Sequence, residues 1–167
     1  WIKGKCTFCG ANQKNYGRDE SLETHAYQFI HAENPEEIFN MKFDVIVGNP
    51  PYQLESGGFG AQATPIYHKF IEKAKKLNPR FISFKIPARW YNSGIGLEKF
   101  RKEMINDRSI KVLVDFPKLF EVFPGVEIKG GVCYFLRDKL YEGDCEFTQV
   151  VNGKAISTVK RDLRNGN

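Results

Sequence analysis

The sequence predicts an α/β domain built on a mostly parallel β-sheet, and three features support this fold class. The run FDVIVG, residues 43–48, is almost entirely apolar and β-branched, which is typical of a strand buried in a parallel sheet. Two further apolar runs follow it along the chain. A segment with apolar residues at helical spacing precedes each of these runs. Such alternation of strands and helices is the pattern of an α/β domain.

The predicted elements follow one another in a simple order. A short helix within residues 21–31, with Ser21 as its N-cap, precedes the first strand. After that strand we expect a helix over 65–77, a strand over 80–87, a loop with two exposed aromatic residues over 88–96, a helix over 97–107, and strands over 109–116 and 129–137. Pro65 suits the start of its helix.

The last part of the chain predicts a β-hairpin. Asn152 and Gly153 lie between two β-rich runs, and this dipeptide favours the turn of a two-residue hairpin loop. We therefore divide the chain into a polar N-terminal segment over 1–42, a core over 43–140 and a hairpin region over 141–167, which is a candidate start of a target-recognition region.

Composition excludes several classes of protein. Hydrophobic residues make up 41% and charged residues 27%, which is the composition of a globular domain and not of a disordered chain. No apolar run approaches the roughly 20 residues that a membrane helix needs, so we expect a cytoplasmic protein without a membrane part. A net charge of +5 is compatible with a nucleic-acid partner but does not require one.

Four cysteines at irregular spacing favour a reducing compartment over a disulfide framework. Cys6, Cys9, His25 and His31 give C-x2-C-x15-H-x5-H, which is close to a zinc-finger spacing but has a longer linker. This leaves open a zinc-dependent nucleic-acid-binding module without catalysis. Because the aromatic residue expected inside a finger is misplaced, we expect free structural cysteines and no metal site.

The four residues NPPY, 49–52, directly follow the first strand and carry the most specific chemistry. The amino group of a base such as adenine is a poor nucleophile because its lone pair is delocalised into the ring. Acceptors for both of its N–H bonds would free that lone pair, and the Asn49 side-chain oxygen and the Pro50 carbonyl are two such acceptors. Pro50 and Pro51 restrict the backbone around this carbonyl. Tyr52 offers a ring on which a flat substrate can stack.

We therefore predict Asn49, Pro50, Pro51 and Tyr52 as the catalytic residues. The alternative is a proline-stabilised turn that only leads the chain away from a strand.

DVIVGNPPY resembles the catalytic motif of methyltransferases that modify amino groups with S-adenosylmethionine, above all the N6-adenine DNA methyltransferases of restriction–modification systems. Downstream, IYHKFIEKA, FISFKIPARWY, IKVLVDF and VFPGVEIKGGVCYFL look like later elements of the methylase domains in combined restriction–modification enzymes. The resemblance implies a Rossmann-like class I fold with a mostly parallel sheet and antiparallel C-terminal strands. It also implies methyl transfer to the N6 amino group of an adenine flipped out of the duplex.

The resemblance further implies roles for single residues. Asn49 and Pro50 would hold the adenine amino group, and Asn49 would also face the cofactor. Tyr52 would stack on the flipped base. The family places a second aromatic residue after a downstream strand, and Phe135 is the match, with Tyr134 as the alternative.

Other substrate contacts are expected near the same edge of the sheet. Trp90, together with Arg89, either contacts DNA or the flipped base, or packs on the domain. Lys129 and Arg137 flank the strand that carries Phe135 and are candidates for phosphate contacts. Lys69, Lys73 and Lys76 are expected on the solvated face of their helix.

One part of the family pattern is missing from the sequence. Members carry a glycine-rich cofactor loop upstream of NPPY, and residues 1–42 hold no such strand–glycine–helix pattern. We therefore expect the C-terminal part of a methylase domain, without the main S-adenosylmethionine loop and inactive by itself. Double-stranded DNA is the expected partner, with a fused or associated nuclease and specificity domain. The rivals are methylation of release-factor glutamine or of guanine in ribosomal RNA.

Overall fold

The computed structural model describes residues 1–16, 25–34, 36, 41–54, 64–91, 96–118 and 130–165. Its helices are α1 (Gln13–Tyr16), α2 (His25–His31), α3 (Tyr67–Lys76) and α4 (Glu98–Asn106), with a 3-10 helix at Ala88–Tyr91. Its strands are β1 (Val45–Gly48), β2 (Gln53–Leu54), β3 (Thr64–Pro65), β4 (Phe81–Pro87), β5 (Ile110–Phe116), β6 (Val132–Asp138), β7 (Cys145–Val151) and β8 (Lys154–Arg161).

Contacts divide the chain into two compact units. The first unit comprises Trp1–Lys42 and Pro50–Leu77, and the second comprises Phe43–Asn49 and Asn78–Asn167. Each unit is described below by itself.

The second unit is built on a six-stranded sheet in the order β1-β4-β6-β5-β7-β8. Strands β1, β4, β5 and β7 run in one direction, whereas β6 and β8 run in the other. This arrangement confirms the predicted α/β class, the mostly parallel sheet and the antiparallel strands towards the C-terminus. The prediction that β1 is a buried strand was wrong, because β1 lies at the edge of the six described strands and Val45 and Val47 are 52% and 74% exposed. Apolar, β-branched residues indicate a strand but do not show whether another element covers it.

One row of residues crosses the whole sheet in register. Its members, from β1 to β8, are Gly48, Phe84, Phe135, Leu113, Phe147 and Val159. The side chains in the middle of this row are buried, because Phe84 is 4% exposed, Leu113 2% and Phe135 0%. The core of the second unit therefore lies on this face of the sheet, next to the end of β1.

The segment after β4 differs from the predicted exposed loop. Pro87 ends the strand, and the chain then forms the 3-10 helix at Ala88–Tyr91. Trp90 is only 2% exposed, and its ring lies 4.6 Å from that of Tyr91 and 6.0 Å from that of Phe100 on α4, measured between ring centroids. The prediction of exposed aromatics was therefore wrong for Trp90, because burying its ring against α4 removes a large apolar area from water.

The predicted hairpin is confirmed. Strands β7 and β8 pair in antiparallel register on either side of Asn152 and Gly153, which have φ values of 52° and 68°. Two consecutive positive φ values are the geometry of a type I′ turn. Through the parallel pairing of β5 with β7, the hairpin extends the same sheet as the core strands.

In the first unit, helices α2 and α3 pack together through Phe29 and Phe70, whose ring centroids are 6.3 Å apart. Helix α3 begins at Tyr67, two residues later than predicted, because Pro65 pairs with Gln53 in the short ladder of β2 and β3. The predicted N-cap Ser21 lies outside the described residues. None of the helices in the described parts of the chain is long and apolar enough to cross a membrane.

Lys73 departs from the predicted solvated face of α3. It is 9% exposed, and its ammonium group donates to the carbonyl oxygens of Ala32 and Glu33, just after the end of α2. A cation is favourable there because the last carbonyls of a helix carry a partial negative charge. Burial lowers the pKa of Lys73. Sequence periodicity placed this residue on the polar face of its own helix but could not show that a second helix ends against that face.

Candidate active site

Asn49 lies at the carboxyl end of β1, in the second unit. Strand β1 ends at Gly48, and Asn49, the next residue, is exposed. In open α/β sheets, ligands bind outside the carboxyl ends of the parallel strands. Asn49 is thus an exposed residue at the edge where the fold class places a ligand.

Gly48 fixes the backbone directly before Asn49. It pairs with Phe84 of β4, and a Cβ atom built on Gly48 would lie 2.7 Å from Cε1 of the Phe84 ring. Only glycine fits beneath this ring without displacing it. Phe84 was not among the predicted site residues. The available signal was a glycine that ends one predicted strand, with an aromatic residue in the next predicted strand.

The rest of the motif belongs to the first unit. Pro50 is buried, whereas Pro51 and Tyr52 are half-buried. The carbonyl oxygen of Tyr52 accepts a hydrogen bond from the backbone amide of Ile66, at 3.1 Å, and Ile66 is fully buried. Two prolines with fixed φ and one anchored carbonyl leave the backbone of this segment little freedom. The Pro50 carbonyl therefore lies in a segment whose backbone is restricted.

Phe135 and Tyr134 are the two candidates for a second stacking aromatic, and the structure separates them by exposure. Phe135 is fully buried and packs on Phe84, with 6.5 Å between the ring centroids. Tyr134 is 41% exposed, and its ring lies 5.8 Å from that of Phe116. Tyr134 also pairs across the sheet with Lys85, whose pKa is lowered by burial. Tyr134 is exposed enough to contact a ligand directly. Phe135 is buried and packs against Phe84 instead.

The remaining predicted substrate contacts have different outcomes. Trp90 lies in the core, as described above, so its packing role is the one that the structure supports. Lys129 lies outside the described residues. Arg137, proposed for phosphate, instead forms an ion pair with Asp107 at 3.0 Å. Arg89 is exposed, and its side chain lies against Gly130. A Cβ atom added to Gly130 would lie 2.8 Å from Cγ of Arg89.

The cysteines fall into two groups. Burial raises the pKa of Cys133 and of Cys145 to about 12, so both are neutral packing residues near pH 7. Cys6 and Cys9 instead lie close to the imidazole ring of His31, in the first unit. His25, the fourth residue of the predicted zinc-finger pattern, begins helix α2, and its side chain lies outside the described part of the structure.

Comparison with known proteins identifies the family. Residues 2–123 match the Eco57I restriction-modification methylase family. A relative from Mycoplasma pneumoniae, described as an uncharacterized adenine-specific methylase, is 37% identical over 174 residues, which cover 95% of this chain and 41% of that protein. A putative type II restriction enzyme and methyltransferase from Methanocaldococcus jannaschii is 33% identical over 96 residues, covering 52% of this chain and 8% of that protein. The chain thus spans less than half the length of either relative.

A chain in a solved structure of a type I restriction–modification system has a similar fold. The TM-score is 0.50 at 16% sequence identity, over 68% of this chain and 25% of that chain. At this identity the likeness concerns the fold alone, and it agrees with the Rossmann-like class I fold that the sequence resemblance implies. The family model matches residues 2–123, and the 37% identical relative covers 95% of this chain, so the chain belongs to the Eco57I restriction-modification methylase family.

Proposed function

We propose that this chain carries the adenine-holding part of a DNA methyltransferase that modifies the N6 amino group of a flipped adenine. The observation that carries the proposal is the setting of residues 49–52. An exposed asparagine follows a strand end that is fixed by the Phe84 ring, and two prolines and a tyrosine come directly after it. Membership of the methylase family supports the same reaction class.

The side-chain oxygen of Asn49 and the carbonyl oxygen of Pro50 would accept the two N–H bonds of the amino group. When bound, S-adenosylmethionine supplies a methyl group on a positively charged sulfur. Positive charge develops on the amino nitrogen during transfer, and these two oxygens would stabilise it. One proton of the amino group then passes to solvent. Asn49 fits a position facing the cofactor because it is exposed at the carboxyl end of β1.

Stacking would hold the flipped base in the orientation that this transfer needs. We assign the first stacking contact to Tyr52, whose backbone is anchored through Ile66. Base–aromatic stacking contributes about 1–3 kcal/mol for each base. Exposure favours Tyr134 over Phe135 as a second contact, whereas buried Phe135 positions Phe84.

The activity, its DNA substrate and its partners are proposed for the whole protein of which this chain is part. The expected partners remain double-stranded DNA and a fused or associated nuclease and specificity domain, in the cytoplasm. Since residues 1–42 lack the glycine-rich pattern of the family's cofactor loop, we propose that residues 1–167 do not turn over by themselves.

Product analysis tests the substrate class. The whole protein is incubated with S-adenosylmethionine labelled in its methyl group and, separately, with duplex DNA, ribosomal RNA or a glutamine-containing release-factor peptide. We expect label in DNA, recovered as N6-methyladenine after digestion to nucleosides. Label confined to RNA or peptide would instead support one of the rival amino-methyltransferases, and recovery as N4-methylcytosine would contradict the assignment of adenine.

A further inference from the structure

Three potential metal ligands come together in the first unit, although one of them, His31, lies 22 residues after Cys9 in the sequence. The sulfur atoms of Cys6 and Cys9 and a ring nitrogen of His31 all lie within 4.8 Å of one another. Nε2 of His31 is 3.7 Å from the sulfur of Cys6 and 3.4 Å from that of Cys9. Cys9 is buried, and the other two residues are partly buried.

These distances match those of a tetrahedral zinc site. With Zn–S bonds of about 2.3 Å and Zn–N bonds of about 2.0–2.1 Å, a tetrahedral angle separates a sulfur from a nitrogen ligand by about 3.5–3.6 Å. The two observed nitrogen–sulfur distances lie on either side of this value. The two sulfur atoms lie within 4.8 Å of each other, and the same geometry would place them about 3.8 Å apart. A zinc ion would therefore fit between the three atoms after at most a rotation of the cysteine side chains that changes the sulfur–sulfur distance by about 1 Å.

The loop that carries both cysteines has the geometry of a ligand-presenting turn. The backbone amide of Gly10 donates to the carbonyl oxygen of Cys6 at 2.9 Å. The amide of Cys6 donates to the carbonyl oxygen of Ala11 at 2.8 Å, and Gly10, with φ of +77°, closes the turn. These backbone hydrogen bonds hold Cys6 and Cys9 together in one compact turn.

The third ligand comes from a helix and not from this loop. His31 ends helix α2, and its ring lies 5.8 Å from that of Phe8. Helix α2 packs on α3 through Phe29 and Phe70, and Lys73 binds the two carbonyl groups that follow its end. Such support from surrounding residues orients the ligands of structural metal sites.

We propose that Cys6, Cys9 and His31 bind a zinc ion that fastens the N-terminal loop to helix α2. Two thiolates and one imidazole select zinc among the common divalent cations, because hard cations such as Mg²⁺ prefer oxygen ligands. The role is structural and does not depend on the proposed methyl transfer. His25 lies six residues before His31 in the same helix, about 9 Å along its axis, so the backbone of α2 does not present the two as a closely spaced pair.

Metal analysis of the full chain tests this inference. The protein is purified without a polyhistidine tag or chelator, and its metal content is measured by mass spectrometry. We expect about one zinc per chain, lost at least tenfold in both Cys9→Ser and His31→Ala. Cys145→Ala is the matched control, because it removes a buried cysteine whose neighbours do not form this cluster, and it should keep its zinc.

Cobalt binding gives a second readout that needs no variant to fold. Zinc is removed from the wild-type chain by a chelator, and Co²⁺ is added while the absorption spectrum is recorded. We expect thiolate-to-cobalt charge-transfer bands and the intense d–d bands of a tetrahedral site, both saturating at one Co²⁺ per chain. A wild-type chain without zinc and without these bands would overturn the proposal. So would a His31→Ala variant that keeps both its zinc and an unchanged cobalt spectrum.

Discussion

At the scale of single residues, the contact between Gly48 and the Phe84 ring is the most restrictive feature next to Asn49. A methyl group on Gly48 would lie 2.7 Å from a ring carbon, so the ring or the strand must shift. We predict that Gly48→Ala lowers the free energy of unfolding by about 1–3 kcal/mol, the usual cost of overpacking. Urea denaturation followed by circular dichroism measures this change.

The double variant Gly48→Ala with Phe84→Leu is the control for that prediction. Leucine leaves space where the phenylalanine ring was, so we expect the double variant to lose less stability than the sum of the two single variants. Strictly additive losses would show that the ring is not what excludes the methyl group.

A second residue-scale prediction concerns acid stability. Asp138 accepts a hydrogen bond from Arg80 at 2.5 Å, and this bond holds the pKa of the carboxyl group below its ordinary value. A depressed folded-state pKa means that the ion pair stabilises the protein fully above the unfolded pKa of about 3.9. That contribution is lost as the pH falls through the lower, folded-state value.

The variant Asp138→Asn tests this prediction. It should be less stable than the wild type near pH 7, and the difference should shrink as the pH approaches 3. Unfolding curves at several pH values measure the difference. If the difference in the free energy of unfolding stayed constant across this pH range, the lowered pKa of Asp138 would not be the cause of the acid sensitivity.

At the scale of elements, the apolar runs predicted the strands well because burial and strand propensity act together in them. Strands β4 and β5 begin and end within one residue of the predicted bounds, and the hairpin turn falls at Asn152 and Gly153. The errors concern residues whose environment comes from another element. Trp90 is buried against α4, and Lys73 is buried against the end of α2. The local sequence pattern around each residue does not show which other element packs against it.

The hairpin allows an element-scale prediction. Gly153 has φ of +68°, and no atom lies within 4 Å of the position that a Cβ would take, so substitution costs only backbone strain. We predict that Gly153→Ala destabilises the chain by about 1–2 kcal/mol. Asn152→Gly is the matched control, because glycine adopts a positive φ readily, and its effect should stay within about 0.5 kcal/mol. Equal losses in the two variants would contradict a type I′ turn.

At the scale of the whole molecule, NPPY was recognisable from the sequence because four specified residues follow an apolar, β-branched strand. The register of the sheet could not be predicted from the sequence, because the pairing of strands that are distant in the chain does not affect local periodicity. Thus Phe84, which fixes Gly48, was missed, and Phe135 was assigned a direct contact although it is fully buried. In the same way, the sequence showed the zinc-finger-like spacing, but only the folded chain brings Cys6, Cys9 and His31 together.

The central claim is that Asn49 acts on the amino group during methyl transfer, and a single-turnover measurement tests it most directly. The whole protein, pre-bound to duplex DNA, is mixed with labelled S-adenosylmethionine, and the transfer rate is compared between wild type and Asn49→Ala. Asn106→Ala, which removes an exposed asparagine whose side chain contacts only its own helix at Lys102 in the described structure, is the matched control. We predict a rate at least about 100-fold lower for Asn49→Ala, with DNA affinity within a few-fold of wild type, and no change for the control. An Asn49→Ala protein that transfers methyl groups at the wild-type rate would contradict the account.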